Sequence, residues 1–227
     1  MQGVLRKSGV VTAILASAMI CSLNAAAGDI LYTTLGPGSA YDGSNGYFVD
    51  GSNYYNSVVA NQFTLGAGAT VANAMLALGN YLGNNNPVTV YIESDNGGVP
   101  GSIIATLLQS GTILPWGNGS GGGLVTFNCS GAACALGAGS YWLVALEQDP
   151  DTQQVWDFAY QDQLGNIAFN SSGSPDGPWS STFDVENAFQ INGVPVPEPE
   201  PATLLVLIPG LLGAGYGLRR KLLDEGR

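Results

Sequence analysis

Val88-Thr-Val-Tyr-Ile-Glu-Ser-Asp-Asn-Gly-Gly-Val-Pro-Gly101 is the stretch that decides the fold. Val88, Val90 and Ile92 alternate with Thr89, Tyr91 and Glu93, which is the period of a strand with one apolar face. Asp95-Asn-Gly-Gly98 breaks the alternation with residues that favour turns: Asx side chains bond the local backbone, and Gly accepts positive φ. The next apolar run, Ser102-Ile-Ile-Ala-Thr-Leu-Leu-Gln109, reads as helix or strand by period alone. Its β-branched content favours a strand.

The same pattern recurs along the chain. Candidate strands are Asp29–Thr33, Gly46–Val49, Ser57–Thr64, Thr70–Leu78, Val88–Ser94, Ser102–Gln109, Leu124–Cys129, Ser140–Glu147, Gln153–Tyr160, Ile167–Asn170 and Phe183–Ile191. In Gln153–Tyr160, Trp156, Phe158 and Tyr160 share one face and Asp157 points to the other. Turn signals such as Gly83-Asn-Asn-Asn-Pro87 and Gly117-Asn-Gly-Ser-Gly-Gly-Gly123 separate the runs. Many short strands with such turns predict an all-β domain, a β-sandwich or jelly roll, over residues 28–192. No helix is expected before Ala202.

The two ends read differently. Arg6 and Lys7, the uncharged run Val10–Leu23 and Ala25-Ala26-Ala27 predict a signal peptide over residues 1–27, cut before Gly28 by signal peptidase. Residues 193–201 carry prolines at 195, 197, 199 and 201, which predicts an extended Pro/Glu linker. Ala202–Leu218 is uncharged and about 25 Å long as a helix, short against a hydrocarbon core of about 30 Å. Arg219, Arg220 and Lys221 follow at once and orient that single C-terminal apolar helix with the acidic domain outside.

Charge bounds the function. The six basic residues are Arg6, Lys7, Arg219, Arg220, Lys221 and Arg227, and the chain has no His. Between Gly28 and Leu218 there is no cationic side chain, whereas all but Asp224 and Glu225 of the 17 acids lie there. Nucleic acid is excluded as a partner, because phosphate binding needs cationic contacts. Acyl transfer lacks a base and zinc chemistry lacks its ligands. What remains for catalysis is a carboxylate pair of the glycosidase kind, with Glu93, Glu147, Asp149, Asp151 and Glu186 as candidates whose spacing singles out no pair. The expectation is a protein that is not an enzyme.

Two further readings come from the residues. Cys129 and Cys134 flank Ser-Gly-Ala-Ala, a spacing that predicts a loop-closing disulfide in an exported chain. Trp142 and Trp156 lie in strands and are expected in the core. Trp116 and Trp179 lie beside Gly- and Pro-rich turns and are candidate glycan contacts, since sugar sites combine aromatic faces with carboxylates and amides. No cofactor is expected. Calcium is the one ion the residues raise, at Asp149 and Asp151 and at Asp95-Asn96-Gly97, where ordinary Asx-turn chemistry is the plainer explanation.

Pro199-Glu200-Pro201-Ala202-Thr203, the apolar span and Arg219-Arg220-Lys221 together resemble the PEP-CTERM sorting signal of Gram-negative bacteria. That resemblance implies recognition by an exosortase, a transient inner-membrane intermediate over residues 202–227, and release or transfer to the cell surface in an exopolysaccharide or biofilm setting. Asn61-Gln-Phe-Thr-Leu65, Val88–Gly101, Gly139-Ser-Tyr-Trp-Leu-Val144 and Trp156 resemble the choice-of-anchor R type of exported β-rich domain. This second resemblance implies fold and location and supplies no catalytic residues. The combined expectation is an exported structural or adhesive protein whose partners are the processing enzymes and extracellular polysaccharide. The alternative is a carbohydrate-binding module or a glycosidase.

Overall fold

A computed structural model describes residues 28–83, 88–117 and 121–197. The expected signal peptide, the sorting residues Pro199–Thr203, the apolar helix and Arg219–Lys221 lie outside the described residues. Among those described, every regular element is a strand or a single 3-10 turn, and no helix is long and apolar enough to cross a membrane.

Fourteen strands form one continuous hydrogen-bonded sheet, antiparallel except for one short pair. They are β1 Asp29–Thr33, β2 Asp42–Asp50, β3 Val58–Leu65, β4 Ala69–Leu82, β5 Thr89–Asp95, β6 Pro100–Ser110 and β7 Leu114–Pro115. Then come β8 Gly123–Asn128, β9 Ala135–Leu136, β10 Gly139–Leu146, β11 Gln153–Phe158, β12 Leu164–Asn170, β13 Ser180–Val185 and β14 Phe189–Pro195. The order β1-β14-β4-β8-β6-β5-β10-β3-β12-β13 folds over itself at β6, which pairs with β8 through one end and with β5 through the other. Two leaves therefore face one another, a sandwich-like arrangement. Leu76, Leu78, Phe127, Trp156 and Phe189 of one leaf meet Val59, Phe63, Val90, Ile92 and Leu143 of the other in the main core.

The β5–β6 hairpin forms as the opening stretch predicts. Val90 and Ile92 enter the main core, while Tyr91 packs on the opposite face of the leaf. That opposite face carries a second, smaller core of Val58, Ala60, Trp142, Val144, Leu146 and Ala168. Both tryptophans expected inside are fully buried, but in different cores: Trp156 lies between the leaves and Trp142 on the outer face.

Two strand expectations need correction. Phe183–Ile191 is not one strand: β13 pairs with β12 in one leaf, and β14 pairs with β4 and β1 in the other. The crossing at Glu186-Asn187-Ala188 is fixed by a buried asparagine pair. Asn61 Nδ2 donates to Asn187 Oδ1 at 2.9 Å, and the Asn187 backbone N–H donates to Asn61 Oδ1 at 2.9 Å. Asn187 Nδ2 also donates to the Trp156 carbonyl at 2.5 Å. The second correction is at the linker, because β14 continues through Pro195, which pairs with Ala69 as the last residue of the strand. A proline is tolerated at that position because the next bond of the ladder is donated by the following residue, the Val196 N–H to the Gly68 carbonyl at 2.7 Å.

Candidate functional site

The hairpin turn Asp95–Val99 and the segment following β12 enclose a groove of about 510 Å³. The turn is closed by the Asn96 N–H donating to the Val99 carbonyl at 2.9 Å. Asp95 anchors it: Oδ1 accepts from Trp142 Nε1 and from Gln62 Nε2, each at 2.8 Å, and from the Gly98 N–H at 3.3 Å. The opposite wall is the segment Ser171–Trp179, built by short-range bonds. Asn170 Nδ2 donates to the Ser174 carbonyl at 2.9 Å, Ser172 Oγ donates to Asn170 Oδ1 at 2.9 Å, and the Gly177 N–H donates to the Ser174 carbonyl at 3.1 Å.

Trp179 ends this wall. Its Nε1 donates to the Pro175 carbonyl at 3.0 Å, which fixes the ring within its own turn. The half-buried indole packs on the outer core and lines the groove together with Ser94, Ser102 and the exposed Asp176. Of the two candidate glycan contacts, Trp179 therefore sits on a built groove.

Glu93 lies under this wall. It is fully buried, and neither carboxyl oxygen meets a donor among the described residues. Alternation along β5 puts it on the outer face with Tyr91, and its cross-strand neighbours are Trp142 on β10 and Ile103 on β6. Burial, with a further contribution from the Asp176 charge, pushes its carboxyl up to about 8. The alternation reading of Glu93 as the polar face is right in direction. That face is dry here because the 171–179 segment covers it.

The other candidate acids do not converge with it. Glu147 follows β10, five residues beyond the partner of Glu93, or about 16 Å along the strand. It accepts from the Asp149 N–H at 2.9 Å; Asp149 in turn accepts from the Asp151 N–H at 2.9 Å, and Asp151 accepts from Asn53 Nδ2 at 2.6 Å. These acids tie the β10–β11 turn to the loop before β3. Glu186 sits at the leaf crossing, where Tyr32 Oη donates to Oε1 at 3.3 Å and Gln163 Nε2 to Oε2 at 3.0 Å. Burial raises Glu147 and Glu186 each to about 7. Asp149 and Asp151, the calcium candidates, both take part in turn and loop hydrogen bonds, the Asp149 bond to the Asp151 N–H being of the Asx kind. Among the described residues no three His, Cys, Asp or Glu side chains are grouped to hold a metal.

Trp116 has a different setting from Trp179. It packs against Gly79, where an added Cβ would come within 2.5 Å of the indole. Its Nε1 donates to Asp157 Oδ1 at 2.6 Å, and its ring meets Tyr81, which meets Phe48, both edge to face. Asp157 is fully buried, and burial raises it to about 6 against the lowering effect of the Trp116 bond. Asp157 thus points away from Trp156 as its strand predicts, into a site covered by Trp116. Cys129 and Cys134 form the expected disulfide, closing the turn between β8 and β9.

Sequence reasoning missed Asp95, Asp176 and Tyr91 as parts of one place. The available signal was Pro175-Asp-Gly-Pro-Trp179, a turn that sets a carboxylate three residues before an indole. Fold and groove together define an all-β module with an acidic, tryptophan-walled surface groove. No protein-family model matches the chain, and no curated protein is significantly similar to it.

Proposed function

We propose that this chain is an exported, non-enzymatic surface or matrix protein, a jelly-roll-like sandwich delivered by an exosortase to a polysaccharide setting. The observation that carries the sorting part is the order Pro199-Glu200-Pro201, apolar span, Arg219-Arg220-Lys221 at one end, opposite the leader at the other. The disulfide-closed turn suits an oxidising compartment. The non-catalytic reading is supported by the dispersal of the candidate acids. Glu147, Asp149, Asp151 and Glu186 are held in structural hydrogen bonds, and Glu93 lies about 16 Å from Glu147 along the strand direction. Fractionation of the producing cells tests the sorting claim. Wild-type chain is expected in the surface or medium fraction, and Glu200→Ala is expected to hold the chain in the inner membrane. Equal distribution of the two would refute it.

A specific observation favours a second element, that the module contacts glycan directly. Trp179 lines a groove with Ser94, Ser102 and Asp176, which pairs an aromatic wall with the hydrogen-bonding groups sugar recognition uses. Retention of the chain on polysaccharide beads, lost in Trp179→Ala, checks this reading.

A further inference from the structure

We infer that the Trp179 groove binds an amino sugar of the glucosamine-polymer type, its protonated amine over Asp176 and its ring against the indole. The inference deepens the glycan-contact reading and rests on it.

The domain's charge is the first reason. The groove carries Asp95 and Asp176, and no cationic side chain exists anywhere between residues 28 and 218. An anionic glycan would meet like charge with nothing to offset it, whereas a protonated amine meets a field of matching sign.

The second reason is Glu93. A buried carboxyl is ordinarily hydrogen-bonded or paired with Lys or Arg, since burying it alone is costly. Here both oxygens lack a donor among the described residues, beneath the segment that carries Asp176. The groups around it are Tyr91 and Asp95 on its own strand, Trp142 on β10, Ile103 on β6 and Asp176 from the covering segment. None is positive, so burial leaves Glu93 in its neutral, protonated form, and a cation brought to the groove would favour its charged form. An ammonium over Asp176 offsets the Asp176 charge, the smaller of the two causes that hold Glu93 protonated, while burial remains; binding therefore moves the Glu93 carboxyl down without returning it to its ordinary value.

The third reason is the orientation of Trp179. Its N–H is already used on the Pro175 carbonyl, which leaves the ring face as the recognition surface. Such a face takes the C–H side of a pyranose and also attracts an ammonium. Ser94 Oγ accepts the Ser102 N–H at 3.0 Å and retains its own proton for a sugar hydroxyl.

Calorimetric titration of the mature protein recovered from the producing cells tests the inference. It is run at about pH 6, where Glu93 is protonated. Three ligands are compared: a glucosamine oligosaccharide, its fully N-acetylated counterpart and spermidine. The glucosamine oligosaccharide is expected to bind, with the other two weaker by about tenfold or more. Asp176→Asn, at an exposed position outside the core, is expected to weaken it by about tenfold with melting unchanged. Repeating the titration near pH 8, where Glu93 is half-ionised, in two buffers of different ionisation enthalpy is expected to show more proton release from wild type than from Glu93→Gln. Equal binding of the acetylated oligosaccharide would leave the glycan contact standing and overturn the amine assignment. Spermidine binding as tightly as the sugar would overturn the role of the ring. No binding of any of the three, or no loss in Asp176→Asn, would overturn the site.

Discussion

Replacing Glu93 by Gln should change the pH dependence of stability more than stability itself. The carboxyl is fully buried, meets no donor among the described residues and is held up to about 8, first by burial and then by Asp176, from an ordinary value of 4.5. Below about pH 4.5 both the folded and unfolded chains hold the proton, so the group has no effect. Between about 4.5 and about 8 the unfolded chain releases the proton and the folded chain keeps it. Folded chains then bind more protons than unfolded ones, and stability falls with rising pH by about 1.4 kcal/mol per pH unit. At pH 7 the accumulated loss is about 3 kcal/mol. The amide of E93Q cannot ionise, so that loss disappears. Urea unfolding of wild type and E93Q at matched pH gives the difference directly. The expected result is near equality at about pH 4 and an advantage to E93Q that grows to about 3 kcal/mol at pH 7. A difference that stays constant across the range would show that Glu93 is solvated or already ionised in the folded chain, and the reasoning would fail.

Other consequences follow from the same structure. Asp157, Glu147 and Glu186 are also raised, to about 6, 7 and 7, so wild-type melting temperature should fall steadily from mildly acid pH to about pH 8. A scanning-calorimetry series that instead peaks at neutral pH would contradict these assignments. Added salt should raise the melting temperature near neutral pH by screening a domain with no compensating positive charge; differential scanning fluorimetry over a salt series reads this. Trp116→Phe removes the donor to buried Asp157 Oδ1 and should cost about 1–3 kcal/mol in urea unfolding, with the loss growing as pH rises through about 6. Cys129→Ser with Cys134→Ser should cost only about 2 kcal/mol, because the closed loop is short.

What could be read from the sequence was set by local period, and what could not was set by distant coverage. Val90 and Ile92 announce their core face by alternation, and the turn at Asp95–Gly98 follows from its residue types. β4 contains the expected Thr70–Leu78 strand, but its irregularity comes only from the structure: Ala69 and Val71 are buried, then Ala74, Leu76 and Leu78, a change of phase at the bulge where Asn192 and Gly193 of β14 pair with Asn73 and Val71. The burial of Glu93 and Asp157 was not legible. Their strands say only which face they take; the Ser171–Trp179 segment and Trp116, 78 or more residues and 41 residues away, decide that those faces are dry. The split of Phe183–Ile191 was hidden for a similar reason. Period two continues through Glu186, and only the Asn61–Asn187 pair shows that the chain leaves one leaf for the other. Trp116 and Trp179 looked alike as aromatics beside turns, and their separate settings depend on Gly79 and on the Asp95 turn opposite.

The sorted, exported module is the claim on which the functional account rests, and the intact mass of the protein recovered from its producing cells tests it most directly. The account predicts a chain that starts at Gly28, contains the Cys129–Cys134 disulfide and lacks Ala202–Arg227. A mass that retains the leader or the whole of residues 202–227 would contradict it.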